Sequence, residues 1–292
     1  ASSVTRDGTV TIGAGIDRLD ITGAGGDDTV TLGALAIPAQ VDGGAGADTV
    51  DASAVTAVGV TISGGTGNDV LIGGDQDDQI AGGTGNDFIQ GNAGDDQLNG
   101  GDNSDTFLQI VGDGADAIDG GGGDDLVGIA GDASDNTLAI TTVGAVASVS
   151  IDADVISNSN VEVISIGVDA GADTINVADL TDTPVRLVYL NLGTADGSVD
   201  AVTVEGTEGT DDVSITETGG LVSVTGLAAE FDIDSSVAAD GDRLTVNGNA
   251  GDDQIKAVDG VENTIGITLN GGLGDDSLTA DAILNGGPGN DY

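Results

Sequence analysis

Cysteine, histidine, methionine and tryptophan are absent from this chain of 292 residues, and five side chains are basic. Without cysteine there is no disulfide framework and no thiolate metal site. Without histidine as well, the usual acid–base and nucleophile constellations are missing. The cations Arg6, Arg18, Arg186, Arg243 and Lys256 are scattered, so no basic patch can be assembled for nucleic acid or an anionic membrane surface. No apolar run approaches the length of a membrane span, so direct membrane insertion is not expected. Aromatics make up 2% of the residues, which excludes an ordinary thick core packed by Phe and Trp. Proline occurs three times, but 52 glycines argue against long helices.

Acid is what the chain has in excess: 51 carboxylates and a formal net charge of -46. Nearly all are aspartates, with glutamate confined to 162, 205, 208, 217, 230 and 262. Asp suits tight turns, whereas Glu is the better helix former. So high a charge usually accompanies disorder, yet 38% of the residues are hydrophobic, mainly Val, Ile, Leu and Ala. A thin core of stacked aliphatic side chains is therefore available.

The carboxylates are ordered. In "GGTGNDVLIGGDQDDQIAGGTGNDFIQGNAGDDQLNGG", from Gly64 to Gly101, a glycine-rich phrase ending in Asp returns every nine residues. Periods start at Gly64, Gly73, Gly82, Gly91 and Gly100, with Asp69, Asp78, Asp87, Asp96 and Asp105 in sixth place. Two places after each stands a large apolar residue: Leu71, Ile80, Ile89, Leu98 and Phe107. After a two-residue insertion the register resumes with Asp116 and Ile118, then with Asp125 and Val127. Gly-Asp turns that merely close hairpins explain an isolated "GADT" well, but not five uninterrupted periods.

This stretch closely resembles the nonapeptide GGxGxDxUx of the repeats-in-toxin (haemolysin-type) calcium-binding proteins. The resemblance implies an all-β chain forming a right-handed parallel β-roll or β-helix solenoid with calcium-binding turns. Two nonapeptides make one coil, each glycine-rich hexapeptide turns the chain, and each xUx triplet is a strand with U inward. Residues 18 apart then stack, so Asp69, Asp87 and Asp105 form one row and Asp78 and Asp96 another. Steps of 20, from 96 to 116 and from 105 to 125, keep both rows in step.

Stacked strands lie ~4.8 Å apart. Carboxylates at that spacing repel by ~1 kcal/mol in water and by several at lower effective dielectric. A divalent cation between coils reverses the sign, and calcium fits because it accepts six to eight oxygens, backbone carbonyls included. The glycines permit positive φ and present carbonyls. By the resemblance, each ion takes a carboxylate and carbonyls from two stacked turns, with carbonyl donors at Gly65, Gly67, Gly83 and Gly85.

The motif also occurs outside the regular stretch. "TGAGGDDTV" places Asp28 and "GGAGADTVD" places Asp48, so residues 1–63 read as larger coils with calcium turns on one edge. "ALAIPAQ" and "TAVGV" close the other edge as ordinary turns. Residues 64–128 are the regular roll. Across 129–230 the motif degenerates, with longer strands and with Asp173, Asp200 and Asp211 in weak copies, of which Asp173 and Asp211 are taken as ligands. It returns in full at Asp253 and Asp276 and starts again at Asp291. The segment 231–292 resembles 1–69: "DRLDITGAGGDDTVT" at 17–31 answers "DRLTVNGNAGDDQIK" at 242–256 at an offset of 225. "GGAGAD" and "GGTGND" are answered in turn by "GGLGDD" and "GGPGND". A superior repeat of roughly 225 residues follows, with the last segment opening the next module of a tandem array. With neither signal peptide nor initiator Met at Ala1, the chain is expected to be a piece of something longer.

Catalysis is not expected. Adjacent pairs such as Asp77–Asp78 point to different sides, unlike a glycosidase pair. "GAGADT" has no following Lys for a phosphate loop, and an EF-hand would need a Glu in twelfth place. The expected role is a calcium-folded structural module of a bacterial secreted or cell-surface protein, of adhesin, surface-layer or matrix-filament type. The alternatives are a secretion module on an enzyme or toxin, or binding of ice or polysaccharide. For ice, the row of Thr66, Asn68, Thr84 and Asn86 ends at Asp102 and Ser104. Expected partners are calcium and, end to end, further modules or copies of the chain.

Overall fold

Residues 17–193, 197–234 and 240–292 are described by a computed structural model of the chain. Arg6 and the rest of residues 1–16, and residues 235–239 of the segment 231–292, lie outside them. The described residues are almost all strands and turns, with a single 3₁₀ turn at Val261–Asn263 and no α-helix. Two compact units emerge: residues 1–128 with 154–161, and residues 129–153 with 162–292.

In the first unit the chain alternates between two sheets. One contains Leu19–Thr22, Ala39–Ala45, Val60–Thr66, Gln79–Thr84, Gln97–Asp102, Ala117–Gly122 and Asp154–Ser159. The other contains Thr29–Thr31, Thr49–Asp51, Val70–Ile72, Phe88–Gln90, Thr106–Ile110 and Leu126–Ala130. Neighbours in each sheet are parallel, because each coil returns to the next sheet position in the same direction. This is an all-β parallel β-roll.

Alternation along each strand decides what faces inward. Ile62, Ile80, Leu98 and Ile118 are in register in one sheet, and Leu71, Ile89 and Phe107 in the other. All are buried. The core is thus two facing columns of single aliphatic or aromatic side chains, each contributing about 1.5–3 kcal/mol by burial. Asn158 breaks the column: it pairs with Ile118, is buried, and has no hydrogen-bond partner on its amide.

The second unit keeps the parallel plan and adds hairpins. Thr174–Val177, Ala201–Glu205, Arg243–Asn247, Gly266–Asn270 and Ile283–Asn285 follow Thr137–Val143 in one parallel sheet. Thr137–Val143 also pairs antiparallel with Val146–Ile151 across a two-residue loop, where Gly144 has φ 63°. In the other sheet Asp212–Thr218, Leu221–Thr225 and Glu230–Asp234 form an antiparallel meander. Its first loop is Gly219–Gly220, with φ 65° and 99°, the primed geometry that suits a tight hairpin. The Gly loops make these hairpins sterically possible.

Candidate metal centre

Strands such as Val60–Thr66 and Gln79–Thr84 run through the first two glycines of a turn, which closes on the sixth-place aspartate before the next inward apolar residue. This aspartate lies over the first glycine of its own turn. A Cβ at Gly64 would run into Asp69 Oδ2 and lie 2.7 Å from the carbonyl oxygen of Gly82 in the next coil. A Cβ at Gly82 would meet Asp87 Oδ2 and, at 2.6 Å, the carbonyl of Gly100. The space left by the first glycine in these turns is therefore walled by one carboxylate oxygen and one carbonyl oxygen from adjacent coils.

The outer carboxylate oxygens join the turns into ladders. Asp28 N–H donates to Asp48 Oδ1 at 2.7 Å, Asp48 to Asp69 at 2.7 Å, Asp69 to Asp87 at 2.8 Å, Asp87 to Asp105 at 2.8 Å and Asp105 to Asp125 at 2.8 Å. On the opposite edge Val60 N–H donates to Asp78, Asp78 to Asp96 and Asp96 to Asp116, at 2.7, 2.7 and 2.8 Å. In the second unit Asp211 donates to Asp253, Asp253 to Asp276 and Asp276 to Asp291, at 2.8, 2.9 and 3.2 Å. Another ladder there runs from Asn136 to Asp173, Asp200 and Asp242.

The inner oxygens are the unusual part. Asp48, Asp69, Asp87, Asp96, Asp105, Asp116, Asp253 and Asp276 are buried, and the Oδ2 of each has no hydrogen-bond partner. Asp28 Oδ2, in a less buried residue, is bare as well. Burial, the largest influence, pushes Asp96 up to about 8, Asp105 to about 7 and Asp116 to about 6, and neighbouring carboxylates add to it. Asp69, Asp87 and Asp253 are raised for the same first reason. Backbone N–H donors oppose this without cancelling it. Buried carboxylates are ordinarily paired or metal-bound, so these rows ask for positive charge that no described side chain brings to their inner oxygens.

The donor set suits a hard cation that takes oxygens alone. No three acidic side chains converge among the described residues, so carbonyls must complete any coordination shell. Gly65, Gly67, Gly83 and Gly85 have φ of 110°, 126°, 114° and 126°, and their carbonyls face the adjacent turn: that of Gly65 fills the place of a Cβ on Gly83, and that of Gly67 the place of one on Gly85. The residues present therefore fit calcium, whose preference is for six to eight oxygens including carbonyls.

Of the expected ligands, the structure groups Asp28, Asp48, Asp69, Asp87, Asp105 and Asp125 in one ladder. Asp78, Asp96 and Asp116 form a second, and Asp211, Asp253, Asp276 and Asp291 another; Asp173 stands with Asn136, Asp200 and Asp242. Asn136, Asp200 and Asp242 were not among the expected ligands. Each is followed two places later by a buried apolar residue, Leu138, Val202 or Leu244, and that Asp/Asn-x-apolar signal survives where the glycines are lost. The first-place carbonyls, such as those of Gly82 and Gly100, were also not anticipated; no side-chain pattern marks them.

A parallel β-roll with stacked carboxylates over glycine carbonyls defines a repeat scaffold for cations. Residues 40–54, 61–89, 72–107 and 110–127 match the RTX calcium-binding nonapeptide repeat in four copies. Residues 40–127 are thus RTX repeats, a calcium-binding structural repeat, and the resemblance drawn from the nonapeptides holds there. A comparison with curated proteins found no match.

Proposed function

We propose that this chain is a calcium-folded structural module of an extracellular or cell-surface protein, of adhesin, surface-layer or matrix-filament type, without catalytic activity of its own. The observation that carries the calcium role is the row of buried carboxylates with bare inner oxygens. Calcium, when bound, supplies the positive charge that turns repulsion between stacked turns into attraction. The ligands are the carboxylate oxygens of the ladders, Asp28 to Asp125 on one edge, Asp78, Asp96 and Asp116 on the other, and Asp173, Asp211, Asp253, Asp276 and Asp291, with glycine carbonyls between them. The chain's own residues set register and exclude water.

The modular reading rests on the 225-residue echo. Leu19 and Ile21 point inward from one strand as Leu244 and Val246 do from the other, each behind an Arg and ahead of a ladder aspartate. A tandem array of such modules makes a long fibre or layer component, rigid outside the cell where calcium is abundant and unfolded where it is scarce. No helix among the described residues is long and apolar enough to cross a membrane.

Circular dichroism with and without EDTA tests the calcium role: β structure is expected to appear with millimolar calcium. A chain equally folded in EDTA would sink it. The surface role is tested by the parent gene, where further 225-residue copies are expected. An upstream hydrolase or toxin would instead make this a secretion module.

A further inference from the structure

The turns are of two kinds, and the difference lies in the second residue, not the sixth. In the turns ending at the bare aspartates Asp28, Asp48, Asp69, Asp87, Asp96, Asp105, Asp116, Asp253 and Asp276, the second residue has positive φ. It is glycine in most, such as Gly83 at 114°, but Ala24 at 76°, Asn92 at 66° and Asn249 at 72° adopt the same conformation. The turn geometry is therefore retained even where the side chain disfavours it. In this conformation the second N–H can run along the stack, as Gly272 N–H does to the Gly286 carbonyl at 2.9 Å.

Three turns differ. Their second residues, Gly74, Asp132 and Thr207, lie outside the left-handed region. In each, the second N–H turns inward to the sixth side chain. Gly74 N–H donates to Asp78 Oδ2 at 2.6 Å and Thr207 N–H to Asp211 Oδ2 at 2.8 Å. Asp132 N–H donates to Asn136 Oδ1 at 3.3 Å. Thr207 Oγ1 adds a bond to Asp211 Oδ1 at 3.0 Å, and Asn136 Nδ2 donates to Asp152 Oδ2 at 3.0 Å and Asp132 Oδ1 at 3.2 Å. In the turn before Asp173 the second residue, Asp169, is also without positive φ.

An inward N–H occupies the lone pair that an ion would use, and its partial positive charge repels a cation there. We propose that the direction of the second N–H decides which turns take calcium. The turns ending at Asp78, Asn136 and Asp211 are closed by their own N–H and take none. They are fixed starting points from which the ion-dependent rows extend. This rests on the calcium reading above and narrows it, since Asp78 and Asp211 then anchor their rows without serving as ligands.

The test is bound calcium per chain at saturation, by equilibrium dialysis and emission spectrometry, with folding of each variant checked by circular dichroism. Asp87→Asn is expected to lose at least one ion, whereas Asp78→Asn and Asp211→Asn keep the parental number. Asn136→Asp, which creates a carboxylate in a closed turn, is expected to gain none. A gain in Asn136→Asp, or a loss in Asp78→Asn equal to that in Asp87→Asn, would overturn the proposal. If Asp87→Asn also changes nothing, the calcium reading itself fails. The unaltered, calcium-loaded protein offers a readout independent of variant folding. Scalar coupling across a hydrogen bond is expected between the Gly74 amide nitrogen and the Asp78 carboxyl carbon, and its absence would overturn the proposal.

Discussion

Asp87 shows what one residue does in this architecture. Its Oδ1 accepts the N–H of Asp69, its own N–H donates to Asp105, and its Oδ2 is buried and bare. Its neighbour Asn86 works in the opposite sense: Asn86 N–H donates back to Asn68 Oδ1 at 2.9 Å, and Asn86 Oδ1 accepts from Ser104 at 3.3 Å. The coils that meet at Asp87 and Asn86 are thus bonded twice, with opposite polarity. Asp291, by contrast, is exposed and receives a single longer bond, from Asp276 at 3.2 Å. Asp87→Ala is expected to lose both ions that flank its turn, and about 1.5–3 kcal/mol with the charged acceptor for Asp69. Asp291→Ala should cost at most one ion. Calcium titration calorimetry compares them, and equal losses would refute stacked, shared sites.

At the scale of the turn, close approach of backbones replaces side-chain packing. Gly83 has φ 114°, and a Cβ there would collide with the carbonyl of Gly65. Gly83→Ala is expected to cost at least about 1–3 kcal/mol from the left-handed backbone, and more from the collision. Gly33 has ordinary φ and no atom within 4 Å of a Cβ, so Gly33→Ala should be neutral or slightly stabilising. Urea unfolding of the calcium-loaded variants makes the comparison. Similar midpoints would show that turn spacing is softer than the geometry implies. The nine-residue period made these turns legible, because the turn needs glycine at fixed places and an inward apolar residue soon after. The hairpins at Gly144 and Gly219–Gly220 were not legible: "TTVGAVAS" and "ETGGLVS" alternate as any strand does, and pairing direction is not written in alternation.

For the whole molecule, charge sets the balance, since 51 carboxylates are brought together by folding. Without calcium, burial holds Asp96, Asp105 and Asp116 above the ordinary carboxylate value of 3.8, at about 8, 7 and 6. The folded state then binds protons more tightly than the unfolded state. The resulting stabilisation is fully present below about 3.8 and is lost as pH rises through the range from about 6 to about 8. In EDTA, circular dichroism is therefore expected to show more β structure at pH 5 than at pH 8. An apo chain with no such difference would mean that the buried rows do not govern folding.

The sequence by itself determined the repeat, the inward column from Leu71 to Phe107, the two rows of aspartates and the need for a cation. The repeat follows from local spacing, and the column and rows follow once the resemblance supplies a coil of two nonapeptides, because a period of nine then places glycine, carboxylate and apolar residue at the same point of every coil. Only the tertiary structure decided which carboxylate oxygens are left bare, where an N–H closes a turn instead, and that Asn136, Asp200 and Asp242 join a ladder. Those outcomes depend on the φ of one residue and on the coil stacked beside it, and neither is carried by the identity of the aspartate.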